Sequence, residues 1–389
     1  MKILPYSFMI LEYFGGWKPL KWGTSIKGKL YNMYTFTVAV TLVTFCMSCI
    51  IDLFYTSNIE DIVHNMSMSF TLIVVCSKLA LVTMKRNEII KIINLLDINI
   101  CRVRCAKEAK IQFKYDKKAK NIVKKYGGLV CGAVFAVTGA SILENIPTKT
   151  LPFNGWFPYR HDNSTGFWVA YFHQNIAHCY VAMIGFSFDT VVYGVLLQNC
   201  SQLQILKNRL ENFVEIINRE KLNNKINGSV CTIRECEHKF IKQCIHHHWI
   251  ILQFSQESND LFAPIIFLQY LSSSLILCLC IQLLTKLAVM SPEFIFIVVY
   301  LGCMLTQIFL FCWYGNEVII ESSGISSAIY KMNWQVLTNK TKKDLLFMKT
   351  QSILPIKFTS GYLIELSLDS FTKLIKFSYS AYNLLHQKE

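Results

Sequence analysis

The sequence predicts an all-α membrane protein of seven spanning helices, with the N-terminus in the cytoplasm and the C-terminus outside. Three observations carry this reading. Hydrophobic residues make up 53% of the 389 positions and charged residues only 16%, against about 25% charged in an ordinary soluble domain. The apolar residues gather into segments of the ~20 residues that a bilayer-crossing helix needs. The basic residues fall almost wholly between alternate segments. The connections before the first span and after the second, fourth and sixth carry 5, 13, 8 and 6 Lys and Arg, whereas the opposite side carries 0, 2, 1 and 1. The positive-inside rule puts the basic side in the cytoplasm. The net charge of +14 is thus a topology signal first and a source of anionic-lipid contact second; nothing in it calls for nucleic acid as a partner.

The first span is placed at 33–54. Residues 1–29 ahead of it hold five lysines but no apolar core or small-residue cleavage site, so this span is expected to act as its own targeting signal. The next five are 66–84, 126–146, 178–199, 261–285 and 294–314. A seventh, 361–385, carries Glu365, Asp369, Lys373 and Lys376, which suits a helix lining water better than one facing lipid. The whole chain, 1–389, reads as one unit. Leu203, Leu206, Leu210, Phe213 and Ile217 recur at helical spacing after the fourth span, and Phe240, Cys244, Ile245, Trp249 and Leu252 do so before the fifth. Helices 4 and 5 are therefore expected to run far into the cytoplasm and pack together. Residues 200–260 and 315–360 would form a cytoplasmic anchor, with a short helix over 340–354 stopped by Pro355. On the outer side, 147–172 is rich in Pro, Gly and aromatic residues and reads as a compact cap.

Fifteen cysteines suggest a disulfide framework until they are placed. Many fall in apolar runs, where they behave as small hydrophobes, and most others fall in loops assigned to the reducing cytosol. His246-His247-His248 cannot share a metal on one helical face, because adjacent residues point about 100° apart; no metal and no cofactor is expected. Among the Asn-x-Ser/Thr sequons, Asn65 and Asn163 fall on the outer side and are the glycosylation candidates. Lys78 lies toward the inner end of the second span and Asp189 near the middle of the fourth. Lys78 is open to snorkelling. Asp189 is open to a structural partner or to a ligand or ion role. No nucleophile–base pair, phosphate loop or paired carboxylate is present, so no enzymatic activity is expected.

Ser370, Lys373, Phe377, Ser380 and Leu384 follow one another at spacings of 3, 4, 3 and 4 along the last helix. They form one face, which fits either a pore wall with an apolar constriction or a helix–helix seam. Lys373 would repel cations in a pore and can instead pair with Asp369.

The chain at this point resembles the insect odorant receptors over nearly its whole length. The matching stretches are Leu151-Pro152-Phe153 with Trp156-Phe157-Pro158, and Glu235-Cys236 followed by His247-His248 and Ile251-Leu252. They continue in Phe262-Ala263-Pro264 with Gln269-Tyr270-Leu271-Ser272-Ser273-Ser274, and in Phe311 to Glu317. The last are Tyr330 to Trp334, Leu366-Ser367-Leu368 with Phe371, and Ser378-Tyr379-Ser380. The resemblance implies a seven-helix subunit of a tetrameric, odorant-gated cation channel. It implies assembly with the common olfactory co-receptor in the plasma membrane of olfactory neuron dendrites, and a pore lined by the last helix. The chain lacks the expanded loop of the co-receptor itself and reads as a tuned subunit. Phe377, Ser380, Leu384 and Leu385 are the expected pore and gate residues. Depth, size and flexibility nominate Phe70, Ile73, Val137, Ser141, Tyr180, Met183, Ile184, Leu279, Leu283 and Tyr300 as the lining of an apolar odorant pocket. A gustatory receptor would end its last helix with a Thr-Tyr…Gln-Phe pattern. A G-protein-coupled receptor would need the opposite orientation, Asp/Glu-Arg-Tyr and Asn-Pro-x-x-Tyr. Neither set of motifs is present.

Overall fold

The computed structural model describes residues 4–23, 25–159, 164–213, 215–217, 233–285, 287–289 and 291–386. Ten helices are labelled among them: α1 Pro5–Tyr13, α2 Ile26–Asp52, α3 Ile59–Met84, α4 Arg86–Leu95, α5 Ala106–Thr148, α6 Ser164–Glu211, α7 Ile233–Leu284, α8 Pro292–Lys331, α9 Asn339–Gln351 and α10 Leu368–His386. Six of them, α2, α3, α5, α6, α7 and α8, are long and apolar enough to cross a membrane. The starts follow local chemistry. Ser25 accepts from the Gly28 N–H at the head of α2, and Ser291 from the Phe294 N–H at the head of α8, with Pro292 in the first turn.

Helix α6 runs through the middle of the bundle, and almost every residue from Ile184 to Leu206 is buried. Helices α5, α6 and α7 extend well beyond membrane length at the basic end of the bundle, which the apolar stripes predicted for α6 and α7 but not for α5. Leu203, Leu206, Leu210, Phe213 and Ile217 are buried there, and Phe213 meets Phe240 edge-on at 5.0 Å. The stripe on α7 is rotated from the expected one. Cys236, Phe240, Ile241, Cys244, Ile251 and Phe254 face inward, while Trp249 is exposed. A charged cluster ties these extensions. The guanidinium of Arg209, 2% exposed, donates to both Glu108 carboxylate oxygens (2.9 and 3.0 Å) and to the carbonyls of Ile100 (2.6 Å) and Arg102 (2.8 Å). Arg209 Nη1 also lies 3.2 Å from His247 Nδ1. With that nitrogen accepting, His247 Nε2–H donates to Gln202 at 2.8 Å. The middle histidine is therefore a satisfied core residue. The expected short helix appears as α9, which Glu237 of α7 holds by accepting from Thr338 and Thr341.

Three elements differ from the sequence expectation. Helices α1 and α4 were read as connections, yet α1 packs on α6 and α4 on α7. The seventh helix starts at Leu368, not at 361. Residues 359–365 instead form a two-stranded antiparallel hairpin, β1 Thr359–Ser360 and β2 Ile364–Glu365. Gly361 (φ 57°) and Tyr362 (φ 62°) turn the chain through the left-handed region, and Ser367 caps the new helix by accepting from the Ser370 N–H at 3.3 Å. The hairpin docks on α7 beside Pro264, which removes one backbone donor from that helix. There the Ala263 carbonyl accepts from the Gly361 N–H at 3.1 Å, and Asn259 accepts from the Thr359 N–H at 2.8 Å.

Candidate functional site

Helices α3, α5, α6, α7 and α8 enclose a cavity of about 160 Å³ in the membrane-spanning part of the bundle. Its walls are largely apolar: Thr71, Val74 and Val75 from α3, Val130, Val134 and Val137 from α5, Val181 and Phe186 from α6, Ile276 from α7, and Phe296, Tyr300 and Met304 from α8. Small side chains leave the room, with Ala133, Ala182 and Gly185 on the wall. Above it, on the side away from the basic end, lies a chamber of about 50 Å³ bounded by Phe153, His178, Leu283, Phe296 and Tyr300. Beyond that is a more polar cleft of about 320 Å³, lined by Asp61, His64, Ser141, Glu144 and Phe153 among others. Phe296 borders all three spaces, which follow one another from the outer cleft inward. The aromatic loop predicted as a cap closes this end. Phe153 is pinned by Gln174, which accepts from its N–H at 3.2 Å and donates to its carbonyl at 2.8 Å. Trp156 N–H donates to the Ser48 carbonyl at 3.1 Å.

The inner end of the cavity is polar. Lys78 Nζ donates to Asp189 Oδ1 at 2.7 Å, with the two side chains 1% and 0% exposed. Asp189 Oδ2 accepts from Tyr126 at 3.4 Å and also from Gln307 Nε2. Gln307 and Gln269 exchange hydrogen bonds at 3.1 and 3.3 Å, and Gln269 Nε2 donates to Ser273 Oγ at 2.9 Å. Lys78, Tyr126, Gln269, Ser272 and Gln307 all line the cavity. Lys78 and Asp189, left open by the sequence, are thus each other's partner. A buried ion pair of this kind persists only when its remaining donors and acceptors are satisfied.

Of the ten nominated lining residues, Val137 and Tyr300 line the deep cavity, while Ser141 and Leu283 line the outer spaces. The other six lie off these walls. Ile73 is turned outward. Phe70 and Leu279 pack in the side cluster around Ile276 and Cys280. Ile184 is buried against α2, and Tyr180 lies 3.5 Å, oxygen to oxygen, from Tyr34. Met183 is half-buried and off the wall. On α3 and α6 the nominated residues sit about one position away from the side chains that border the cavity. Among the expected pore residues, Phe377 and Ser380 are exposed along α10 with Lys373, which pairs with Asp369 at 2.6 Å. Ser370 is half-buried instead, and its carbonyl accepts from Tyr270 at 2.6 Å. The side chains of Leu384 and Leu385 lie outside the described residues, as does Asn163. Asn65 does not suit a glycan: it is 1% exposed within α3, and the nitrogen that would carry the sugar donates to Asp52 at 2.9 Å.

A bundle of membrane-length helices around a largely apolar, partly aromatic cavity, with a capped cleft at one end, has the build of a multi-span membrane receptor for small molecules. The chain belongs to the 7tm odorant receptor family, whose model matches residues 58–379. It is 31% identical over 147 residues to odorant receptor Or2 of Anopheles gambiae, covering 38% of this chain and 39% of that one. It is 28% identical over 208 residues to odorant receptor 10 of Aedes albopictus, covering 54% and 51%. The chain thus spans between two-fifths and about half of these two relatives. Against odorant receptor 2a of Drosophila melanogaster it is 23% identical over 386 residues, 98% of this chain and 95% of that one. In fold it is similar to the insect olfactory receptor OR5 from Machilis hrabei, solved in complex with eugenol. The TM-score is 0.84 at 14% identity, over 99% of this chain and 98% of that one. Family membership makes this chain a receptor rather than an enzyme, and sets aside the gustatory and G-protein-coupled alternatives.

Proposed function

We propose that the chain is a subunit of an odorant-gated cation channel. A small volatile molecule binds between α3, α5, α6, α7 and α8 and opens a pore lined by α10. The channel is a hetero-tetramer with the olfactory co-receptor, in the plasma membrane of olfactory sensory neuron dendrites. The N-terminus and the basic ends of the helices lie in the cytoplasm.

The observation that carries this reading is that one helix touches both places. Helix α8 supplies Phe296, Tyr300, Met304 and Gln307 to the cavity wall. Two turns further on, Gly315 sits so close to the foot of α10 that an added Cβ would clash with the Leu366 carbonyl oxygen and stand 2.5 Å from its Cβ. A ligand shifts an equilibrium only by its differential affinity for the two states. A cavity that changes shape when α8 moves supplies that difference, and the Gly315–Leu366 contact passes the movement to α10. Within one chain, α10 buries Leu374 and Ser378 and leaves Lys373, Phe377 and Ser380 exposed. That outward face fits a pore wall shared between subunits, with Leu384 and Leu385 as the apolar gate beyond it.

The test is co-expression with the co-receptor and whole-cell recording against a panel of volatile odorants. Odorant-evoked cation current that requires both chains is expected. Surface expression of both without any evoked current would refute the channel reading.

A further inference from the structure

We propose that the deep cavity selects a compact ligand, one ring or an equivalent short chain, that carries a hydrogen-bond acceptor, and that the Ser272 hydroxyl is the donor that reads it. This rests on the odorant-receptor reading above and narrows it to a ligand class.

Size sets the first limit. A protein cavity of about 150 Å³ holds benzene, and this one is about 160 Å³. The adjoining 50 Å³ chamber adds room for a short substituent. Polarity sets the second. Ser272 is 4% exposed, lines the cavity and makes no hydrogen bond among the described residues. Its neighbours behave differently: Ser274 donates to the Tyr270 carbonyl at 2.9 Å, and Ser273 accepts from Gln269 at 2.9 Å. His178 Nδ1 also lacks a partner, but it is sealed from the surface. The Ser272 oxygen is not among those sealed atoms, so it opens onto the cavity.

Lys78 at this end donates to Asp189 at 2.7 Å and keeps further N–H groups among the described residues, but the neutral polar groups beside it are committed. Tyr126 and Gln307 both serve Asp189, Gln269 serves Ser273 and Gln307, and Tyr300 contacts Thr71 at 2.7 Å. A buried hydroxyl without a partner is costly, so a carbonyl, ester or ether oxygen meeting it recovers a bond that a hydrocarbon cannot. A carboxylate would have to shed its hydration in an apolar chamber, and an ammonium would meet Lys78. A neutral acceptor remains.

The experiment uses the purified full chain in detergent and reads thermal stabilisation, which does not depend on channel opening. The probes are acetophenone and α-methylstyrene, which differ by oxygen against CH2. Ser272→Ala should weaken apparent acetophenone binding about five-fold and leave α-methylstyrene within two-fold. Ser272→Thr, which keeps the hydroxyl, should restore the difference between the two probes. Equal changes for both probes in Ser272→Ala overturn the assignment of Ser272 and leave the cavity reading intact. If neither probe stabilises the unaltered chain, this inference falls, and the cavity reading it rests on falls with it.

Discussion

Taking apart the Lys78–Asp189 pair should produce two defects with opposite pH dependence. Each single substitution strands a charge in a site 1% or less exposed, and the stranded group escapes by neutralising itself. From ordinary side-chain values near 10.4 and 3.9, neutralising a lysine at pH 7 costs about 4.6 kcal/mol and an aspartate about 4.2 kcal/mol. These figures cap the damage, and they agree with the ~3–5 kcal/mol typical of a broken buried pair. The two variants are not equivalent. In Lys78→Met the carboxylate keeps Tyr126 and Gln307 as donors, so the expected loss is about 3 kcal/mol. In Asp189→Leu the ammonium keeps, among the described residues, only the Phe188 ring, 5.5 Å away, and the loss approaches its cap of about 4.6 kcal/mol. Protonating a stranded aspartate becomes easier as pH falls, so the Lys78→Met deficit should shrink toward acid. Deprotonating a stranded lysine becomes easier as pH rises, so the Asp189→Leu deficit should shrink toward base. The slope where neutralisation sets the cost is about 1.4 kcal/mol per pH unit. The double variant Lys78→Met/Asp189→Leu should return to within about 1 kcal/mol of the parent. Denaturant titration in detergent at pH 6, 7 and 8 measures all of this. Losses that simply add in the double variant, or singles with parallel pH slopes, would refute the reasoning.

Three further outcomes follow from particular contacts. Arg209→Met leaves Glu108 buried without its guanidinium and should cost about 3–5 kcal/mol, read as loss of the folded peak in size-exclusion chromatography; an unchanged melting midpoint would count against it. Burial pushes the Cys101 thiol up to about 11, against the pull of Arg209 and Arg104, whereas Cys105 four residues on is exposed. A maleimide at pH 7.4 should therefore label Cys105 and spare Cys101, as peptide mass mapping would detect. With the co-receptor present, Leu384→Ser should raise resting current without changing which odorants activate, because a polar ring lets water into a closed apolar neck; unchanged basal current at normal surface expression removes Leu384 from the gate.

The sequence carried more of the cavity than apolar depth and size could extract from it. Spanning helices here are apolar nearly all round, so hydrophobic periodicity gives little information on rotation. Large and flexible residues were the wrong guide, because room inside a close-packed bundle comes from small ones, here Ala133, Ala182 and Gly185. The intramembrane polar residues were the better guide. A charge at that depth must face protein, so it fixes the inward face of its helix. Counting back from Lys78 by 3, 4, 7 and 10 gives Val75, Val74, Thr71 and Met68, all on the wall. Counting back from Asp189 by 4, 7 and 11 gives Gly185, Ala182 and His178, and from Gln307 by 3, 4, 7 and 11 gives Met304, Cys303, Tyr300 and Phe296. Each nominated residue on α3 and α6 was off by about one position, and one position is about 100° of rotation. Spans and long extensions were legible because length and composition decide them. The hairpin at 359–365 was not, because its cause is tertiary: Gly361 fits against Phe267 of α7 at a positive φ, and the paired backbone groups of β1 and β2 have no signature in a four-residue ladder. The polar network at the cavity floor therefore has two physical consequences: it closes the inner end of the cavity, and its members fix which faces of α3, α6 and α8 line it.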